Sequence, residues 1–361
     1  MPLDSYVSLG RSGLKVSPFC LGAMSFGEDA GIGCSVAESE EILDTYLELG
    51  GNFVDTANFY SNTHSERILG DYFAARKNRR DRVVLATKFT ANLHLGDPNG
   101  GGASRKAIIG QLEESLRRLQ TDYVDLYYLH SHDPNTPVEE TLQTLDDLVR
   151  AGRIRYVGFS NTPAWFTAQA HAIAGFRGQA AAPIALQLEY SLLERTIEGE
   201  LVPLALDTGM AVLPWSPLRS GFLSGKYRRD EGRPRDSRRS ELLGAPSEAQ
   251  FVVIDALADI AKQAGTTSVA VALAWLRQRA GVTSTLLGPR TRQHLMDALP
   301  ALDLVLAPEQ IATLDEVSKP TLNFPAELNQ QVSAMLRYAG ATVNGERSGV
   351  YPPLLASSVR Y

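Results

Sequence analysis

Tyr123-Val124-Asp125-Leu126-Tyr127-Tyr128-Leu129-His130, then the stretch Val138–Arg150, then Ile154-Arg155-Tyr156-Val157-Gly158-Phe159-Ser160, form the passage on which the fold turns. Two nearly continuous apolar runs flank a segment of helical periodicity. That is the pattern of parallel strands covered on both faces and joined by a crossover helix. The rhythm extends in both directions. Strands are expected at 19–24, 53–57, 83–89, 123–130, 154–160, 184–190, 211–217 and 285–288, and helices at 39–49, 105–119, 138–150 and 163–173. Within 105–119, Gln111-Leu112, Ser115-Leu116 and Leu119 recur at helical spacing, with charges on the opposite side. Residues 6–9 and 14–17, about the turn Arg11-Ser12-Gly13, read as a hairpin ahead of the first strand. Eight alternations imply parallel strands with right-handed crossovers, either a closed barrel or an open doubly wound sheet. The count alone does not choose.

Composition narrows the function. The 361 residues are 44% hydrophobic and 21% charged, ordinary for a globular protein with a large core, and one barrel can run to this length as a single domain. A net charge of −6 argues against general affinity for nucleic acid or for anionic membrane. Cys20 and Cys34 make no disulfide framework, and Cys20, inside Phe19-Cys20-Leu21, reads as a small buried hydrophobe. Residues 1–10 lack the layout of a signal peptide, and no apolar run approaches the roughly 20 residues of a membrane helix. A cytoplasmic protein is expected. Three segments break the rhythm: the Gly-rich stretch 90–104, expected to be a mobile loop; the Arg-rich stretch 218–244; and a tail at 320–361.

Chemistry gathers at strand ends. Asp55, Lys88 and His130 end three consecutive strand candidates, and Tyr60 follows Asp55 closely enough to turn back over them. In a barrel those ends share one face, where active sites are built. Reducing a carbonyl leaves negative charge on oxygen, which a proton donor must quench. Lys88 beside Tyr60 is expected to lower the phenol pKa, Asp55 to hold Lys88 charged, and His130 to hydrogen-bond the carbonyl oxygen. Taken singly, each has a bland reading: a turn cap for the aspartate, a structural histidine, a loop tyrosine, a surface-paired lysine. Their joint placement on adjacent strand ends favours the chemical one.

Asn52-Phe53-Val54-Asp55-Thr56-Ala57-Asn58-Phe59-Tyr60, with Ser65-Glu66 and Leu69-Gly70 after it, resembles the aldo-keto reductase signature. Ala86-Thr87-Lys88 and Asp125-Leu126-Tyr127-Tyr128-Leu129-His130 resemble its lysine and histidine segments, and the likeness runs from Leu9 to about Ser318. The resemblance implies an α/β (β/α)8 TIM barrel with an N-terminal hairpin. Residues 1–361 would form one domain, with the tail at 320–361 able to serve as a lid. It further implies a nicotinamide cofactor held without a Rossmann domain, and reversible reduction of aldehydes or ketones with Tyr60 as proton donor. The alternative is a nucleotide-binding regulatory subunit with little turnover, as in the potassium-channel beta-subunit branch of this fold. Another chemistry on the same barrel is a third reading.

No Rossmann fingerprint is present, since Gly31-Ile32-Gly33 lacks its third glycine and follows no strand. Ser160, Asn161 and Gln187 carry groups suited to a carboxamide, although Ser160-Asn161-Thr162-Pro163 also reads as a helix cap. Trp215 is placed to stack on a nicotinamide or else to pack in the core. Met24, Asp55, Ser216, Pro217 and Leu218 join the expected cofactor site, as do Gly221 and Lys226 in the segment resembling the family's pyrophosphate cover. Residues 226–239 hold seven basic and three acidic residues, with Arg238 a candidate for the adenosine side. Gly288 and Arg290 end the last strand, and Arg290 suits a 2′-phosphate. Where the family commonly has Gln or Arg followed by Glu-Asn, this chain has His294, Asp297 and Ala298. The missing Asn removes one adenine contact and weakens the preference for NADP(H) over NAD(H), while Arg290 still favours NADP(H), the cofactor expected here. Phe26, Phe59, Tyr60, Phe89, His130 and His132 are expected to meet a small carbonyl or alcohol substrate. No metal site is expected from His130-Ser131-His132-Asp133, and Trp165 reads as helix packing. A homo-oligomer is compatible with the sequence.

Overall fold

Side chains of a strand alternate between two faces, and here that alternation separates two cores. In the computed structural model, which describes residues 2–29, 31, 33–76, 78–229 and 244–356, one sheet holds eight strands. They are β3 (Phe19–Gly22), β4 (Phe53–Asp55), β5 (Val84–Phe89), β6 (Val124–Leu129), β7 (Ile154–Ser160), β8 (Pro183–Glu189), β9 (Ala211–Trp215) and β10 (Thr285–Leu287). All pair in parallel, in chain order from β3 to β9, with β10 beside β3. Val212 N donates to Gly281 O at 2.9 Å and Thr283 N donates to Val212 O at 3.0 Å, which brings the approach to β10 against β9 and nearly closes the barrel.

The inward residues Cys20, Phe53, Val84, Ala86, Leu126, Tyr128, Ala185, Ala211, Leu213 and Leu286 form one apolar cluster. The antiparallel hairpin of β1 (Val7–Ser8) and β2 (Lys15–Val16) adds Leu9 and Val16 to it, filling the barrel at its N-terminal end. Outward residues such as Leu21, Val54, Leu85, Tyr127 and Phe159 belong to a second cluster beneath the helices. Parallel strands buried on both faces therefore read as unbroken apolar runs, as the sequence shows. Tyr128 sets a condition on its neighbour. A Cβ on Gly158 would lie 2.4 Å from Tyr128 Cε1, so only glycine leaves the ring its place in the barrel.

The helices between the strands are α1 (Val36–Glu48), α2 (His64–Ala75), α3 (Arg105–Leu119), α4 (Val138–Arg150), α5 (Ala164–Arg177) and α6 (Leu201–Thr208). Before β10 come α7 (Glu248–Gln263) and α8 (Ser268–Arg277). Local chemistry sets several starts: Ser35 and Glu38 form a capping box on α1, and Ser104 caps α3. Residues 90–104, expected to be mobile, are held at both ends of the loop. Gly102 N donates to Thr90 O at 2.9 Å, and Ala103 N donates to Asp133 Oδ2 at 2.8 Å. Polar side chains supply what a regular ladder would. The tail forms a helix, Ala326–Tyr338, whose first turn buries Ala326 beside Gly199 in the turn after β8, while much of the remainder is exposed.

Candidate active site

Strand parity builds the site. Asp55, Lys88, His130, Ser160, Gln187 and Trp215 each lie two residues beyond an inward position: Phe53, Ala86, Tyr128, Gly158, Ala185 and Leu213. All six therefore point toward the barrel axis at its C-terminal mouth. Tyr60 arrives from a short turn in which Ser61, Asn62 and Thr63 all have positive φ. Of eleven non-glycine residues with positive φ among the described residues, eight (Ser61, Asn62, Thr63, Thr90, Asn161, Ser216, Arg219 and Ser220) lie in loops leaving the C-terminal ends of strands. Backbone strain of this kind collects where function over-determines the chain.

Lys88 is fully buried, and its ammonium uses all three donors. Nζ donates to Asp55 Oδ2 at 2.5 Å, to Thr56 O at 2.9 Å and to Tyr60 Oη at 3.2 Å. Gln187 Nε2 donates to Asp55 Oδ1 at 2.9 Å, so the carboxylate is held at both oxygens. The His130 ring stands 5.8 Å from the Tyr60 ring and 5.4 Å from that of Phe59. Its Nδ1 is buried without a hydrogen-bond partner among the described residues. Asn161 Nδ2 donates to His130 O at 3.1 Å, tying the end of β7 to the end of β6.

Burial governs the electrostatics. It lowers the His130 pKa to about 3, with Lys88 adding to the effect, so the imidazole is neutral at physiological pH. Burial raises the Asp55 pKa, opposed by Lys88. Burial disfavours the ammonium of Lys88, yet Asp55 and Tyr60 outweigh it and the pKa rises, leaving the ion pair charged. The expectation that Tyr60 would titrate low needs correction. Lys88 does pull its pKa down, but loss of solvent pushes harder, and the phenol sits above its ordinary value. Tyr60 thus carries its proton at neutral pH, and Lys88 limits the cost of the phenolate left once that proton is given up.

Other expectations also change. Phe89 follows Lys88 and so takes the opposite parity; it is fully buried beneath the helices, 4.8 Å from the Tyr127 ring, and does not line the mouth. Phe26 is likewise fully buried in the outer core. Trp165, read as a packing residue, is 62% exposed on the first turn of α5. Phe59 and Met24 are exposed at the mouth end, and His132 packs against Trp165 and Phe166. Two supporting roles escaped the sequence reading. Glu66, fully buried, accepts from Thr87 Oγ1 at 2.6 Å and Arg118 Nε at 2.6 Å, while Gln111 Oε1 accepts from Thr90 N at 2.9 Å. The sequence-level signal for Glu66 is an acid at an apolar position of a helix; Gln111 shows the same inside the periodic stretch 105–119.

The rim beside these groups suits a dinucleotide. Trp215 Nε1 donates to Asn161 Oδ1 at 3.1 Å, placing the indole next to Ser160 and Asn161. Ser216, Arg219, Ser220 and Gly221 turn through positive φ within one short segment, the backbone form that presents successive N–H groups to an anion. Arg219 pairs with Glu189 and fastens that segment to β8. Pro217 is buried, Leu218 is half-buried and Lys226 is exposed. Lys226 and Arg290 both depress the His294 pKa, after burial, so three nitrogen-bearing side chains converge there; neither cation has an ion-pair partner among the described residues. Ser25 Oγ donates to Pro289 O at 2.8 Å, joining the loop after β3 to the end of β10 near Gly288, whose Cα faces open space. Asp297 is exposed and accepts from Gln293 Nε2 at 2.7 Å. Arg238 lies outside the described residues.

A near-closed parallel barrel with a buried Asp–Lys pair and a tyrosine at its mouth defines a class of carbonyl-directed oxidoreductases. Residues 18–319 match the family model described as "Aldo/keto reductase family", and the chain belongs to that family. It is 37% identical over 321 residues to "Uncharacterized oxidoreductase YrpG" of Bacillus subtilis (strain 168), covering 86% of this chain and 95% of that protein. It is 34% identical to "Putative aryl-alcohol dehydrogenase AAD14" of Saccharomyces cerevisiae, over 88% of this chain and 87% of the relative. With "Norsolorinic acid reductase" of Aspergillus flavus it shares 36% identity, over 87% and 81% of the two chains. Oxidoreductase activity on carbonyls follows from this membership, in a family that typically uses nicotinamide cofactors. Among the described residues no helix is long and apolar enough to cross a membrane.

Proposed function

We propose that this protein is an NADP(H)-dependent reductase of aldehydes or ketones, working reversibly, with Tyr60 as the proton donor. The observation that carries the reading is the single ammonium of Lys88 bonded at once to Asp55, the Thr56 carbonyl and Tyr60 Oη. Ser160, Asn161 and Gln187 would hold the carboxamide of the cofactor, Trp215 its ring face, and the segment from Ser216 to Gly221 its pyrophosphate. Lys226 and Arg290 would meet the remaining phosphate, and Arg290 favours NADP(H) over NAD(H) through a fork that matches a 2′-phosphate. When bound, the nicotinamide supplies a hydride to the carbonyl carbon or takes one from the alcohol.

The chain's own residues do the rest. His130, neutral, orients the carbonyl by donating a hydrogen bond to its oxygen. Tyr60 Oη gives its proton to that oxygen as charge develops, and Lys88 stabilises the phenolate left behind. Asp55 keeps Lys88 charged and aimed. The names of the three relatives above denote oxidoreductases, one of them an aryl-alcohol dehydrogenase, which favours turnover over a purely regulatory role and points to aryl carbonyls.

The test is consumption of NADPH and NADH, followed by absorbance, against a panel of aryl and alkyl aldehydes and ketones. Reduction with NADPH preferred is expected, and Arg290→Ala is expected to weaken NADPH binding about tenfold or more while leaving NADH binding nearly unchanged. Failure to reduce any carbonyl with either nucleotide would remove the proposal. Equal losses for both nucleotides in Arg290→Ala would remove the assignment of Arg290.

A further inference from the structure

The mouth carries two aromatic groups, only one of which the reaction uses. The inner group is Phe59, Tyr60 and His130, with Phe59 44% exposed. The outer group is His132, Trp165 and Phe166, in which the His132 ring lies 5.4 Å from Trp165 and 4.6 Å from Phe166. Phe166 is buried and packs on Phe159 of β7 at 6.0 Å, so the outer group rests on the barrel wall. The Trp165 ring stands nearly perpendicular to both neighbours and leaves much of its indole bare.

The three tryptophans differ in a telling way. Trp275 is fully buried and donates Nε1 to Asp315 Oδ1 at 2.9 Å, and Trp215 donates Nε1 to Asn161. Among the described residues, Trp165 alone has no hydrogen-bond partner for its Nε1. A large aromatic braced by two perpendicular rings and 62% exposed suits a ligand that is flat and aromatic. Its reach is set by the chain. His132 stands two residues beyond His130, at most about 7 Å along the backbone, and the Trp165 ring is a further ring contact away. On that spacing, a fused ring system whose carbonyl met Tyr60 and His130 would extend toward the outer group, and a single ring would stay with the inner one.

We propose that Trp165, braced by His132 and Phe166, is a specificity-determining residue, an outer aromatic shelf that favours carbonyls carried on fused ring systems over single-ring ones. The proposal rests on the carbonyl-reductase reading for its substrate class, but it concerns a residue that takes no part in proton transfer. The experiment compares anthracene-2-carbaldehyde with benzaldehyde on the wild-type protein, Trp165→Ala and Trp165→Phe, using NADPH. For the anthracene aldehyde, KM is expected to rise about two- to tenfold in Trp165→Ala with kcat nearly unchanged, and Trp165→Phe is expected to recover most of the loss. Benzaldehyde kinetics stay as in the wild type. Unchanged KM for both aldehydes, or equal losses for both, would overturn the shelf.

Direct binding of 2-anthracenemethanol, followed by ligand fluorescence, reads the shelf without turnover. Weaker binding to Trp165→Ala supports the shelf even if neither aldehyde is reduced, an outcome that would sink the reaction and not this residue's role. Equal binding to both proteins rejects the shelf whatever the kinetics.

Discussion

Lys88→Met is expected to cost about a hundred- to ten-thousandfold in turnover and, at the same time, to destabilise the fold by about 3–5 kcal/mol. The two losses have separate causes. Without the ammonium, the phenolate left on Tyr60 has no cation beside it, in a place where burial already opposes its formation. Asp55, meanwhile, remains almost fully buried with only Gln187 to donate to it. A lone buried carboxylate is the costly state, so the stability loss belongs to the widowed partner more than to the lost pair. Lys88→Met combined with Asp55→Asn separates the effects: stability should largely return while turnover stays low. Denaturant unfolding and steady-state kinetics on the three variants check both parts. Recovery of turnover in the double variant would contradict the role given to Lys88.

His130→Ala is expected to lower turnover about a hundred- to a thousandfold, the usual cost of removing a donor aimed at developing negative charge. The pH dependence carries the sharper expectation. With the folded-state pKa near 3, the imidazole stays neutral down to about pH 5, so the wild-type reductive rate should show no step near 6.5. The stability sign follows from the same shift. Between pH 6.5 and 3 the unfolded chain binds a proton that the folded one refuses, so His130 makes the protein progressively less stable as pH falls through that window. At pH 7, above both values, this penalty is absent, and His130→Ala should flatten the dependence below it. A rate step near pH 6.5 that disappears in His130→Ala would show an imidazolium acting instead.

Much of this was legible in the residues. The runs at 154–160 and 105–119 became β7 and α3 with unchanged bounds, because apolar period and capping residues agree there. Asp55, Lys88 and His130 could be placed at one mouth because each closes an apolar run, and the parallel pairing of β4, β5 and β6 brings those ends together. Parity was also present but unused. Counting by two from Ala86 reaches Lys88 and passes over Phe89, which is why the phenylalanine turned out to be core.

Other features could not be read locally. Trp165 occupies the first turn of a helix, where an aromatic residue packs or protrudes according to what the neighbouring loop supplies; here His132 comes from a different strand end. The Tyr60 pKa depends on how much water the surrounding loops exclude, which spacing along a chain does not reveal. Nothing in the run 154–160 marks Gly158 as the residue whose missing side chain makes room for the Tyr128 ring.

The most direct test is Tyr60→Phe, with carbonyl turnover and NADPH affinity determined on the same preparation. The substitution removes one oxygen and leaves the ring against Phe59 and His130. Turnover reduced about a hundred- to ten-thousandfold with NADPH bound as tightly as before is the expected result. Turnover retained within a few-fold would mean that the proton comes from elsewhere, and the mechanism drawn around Lys88 would fail with it.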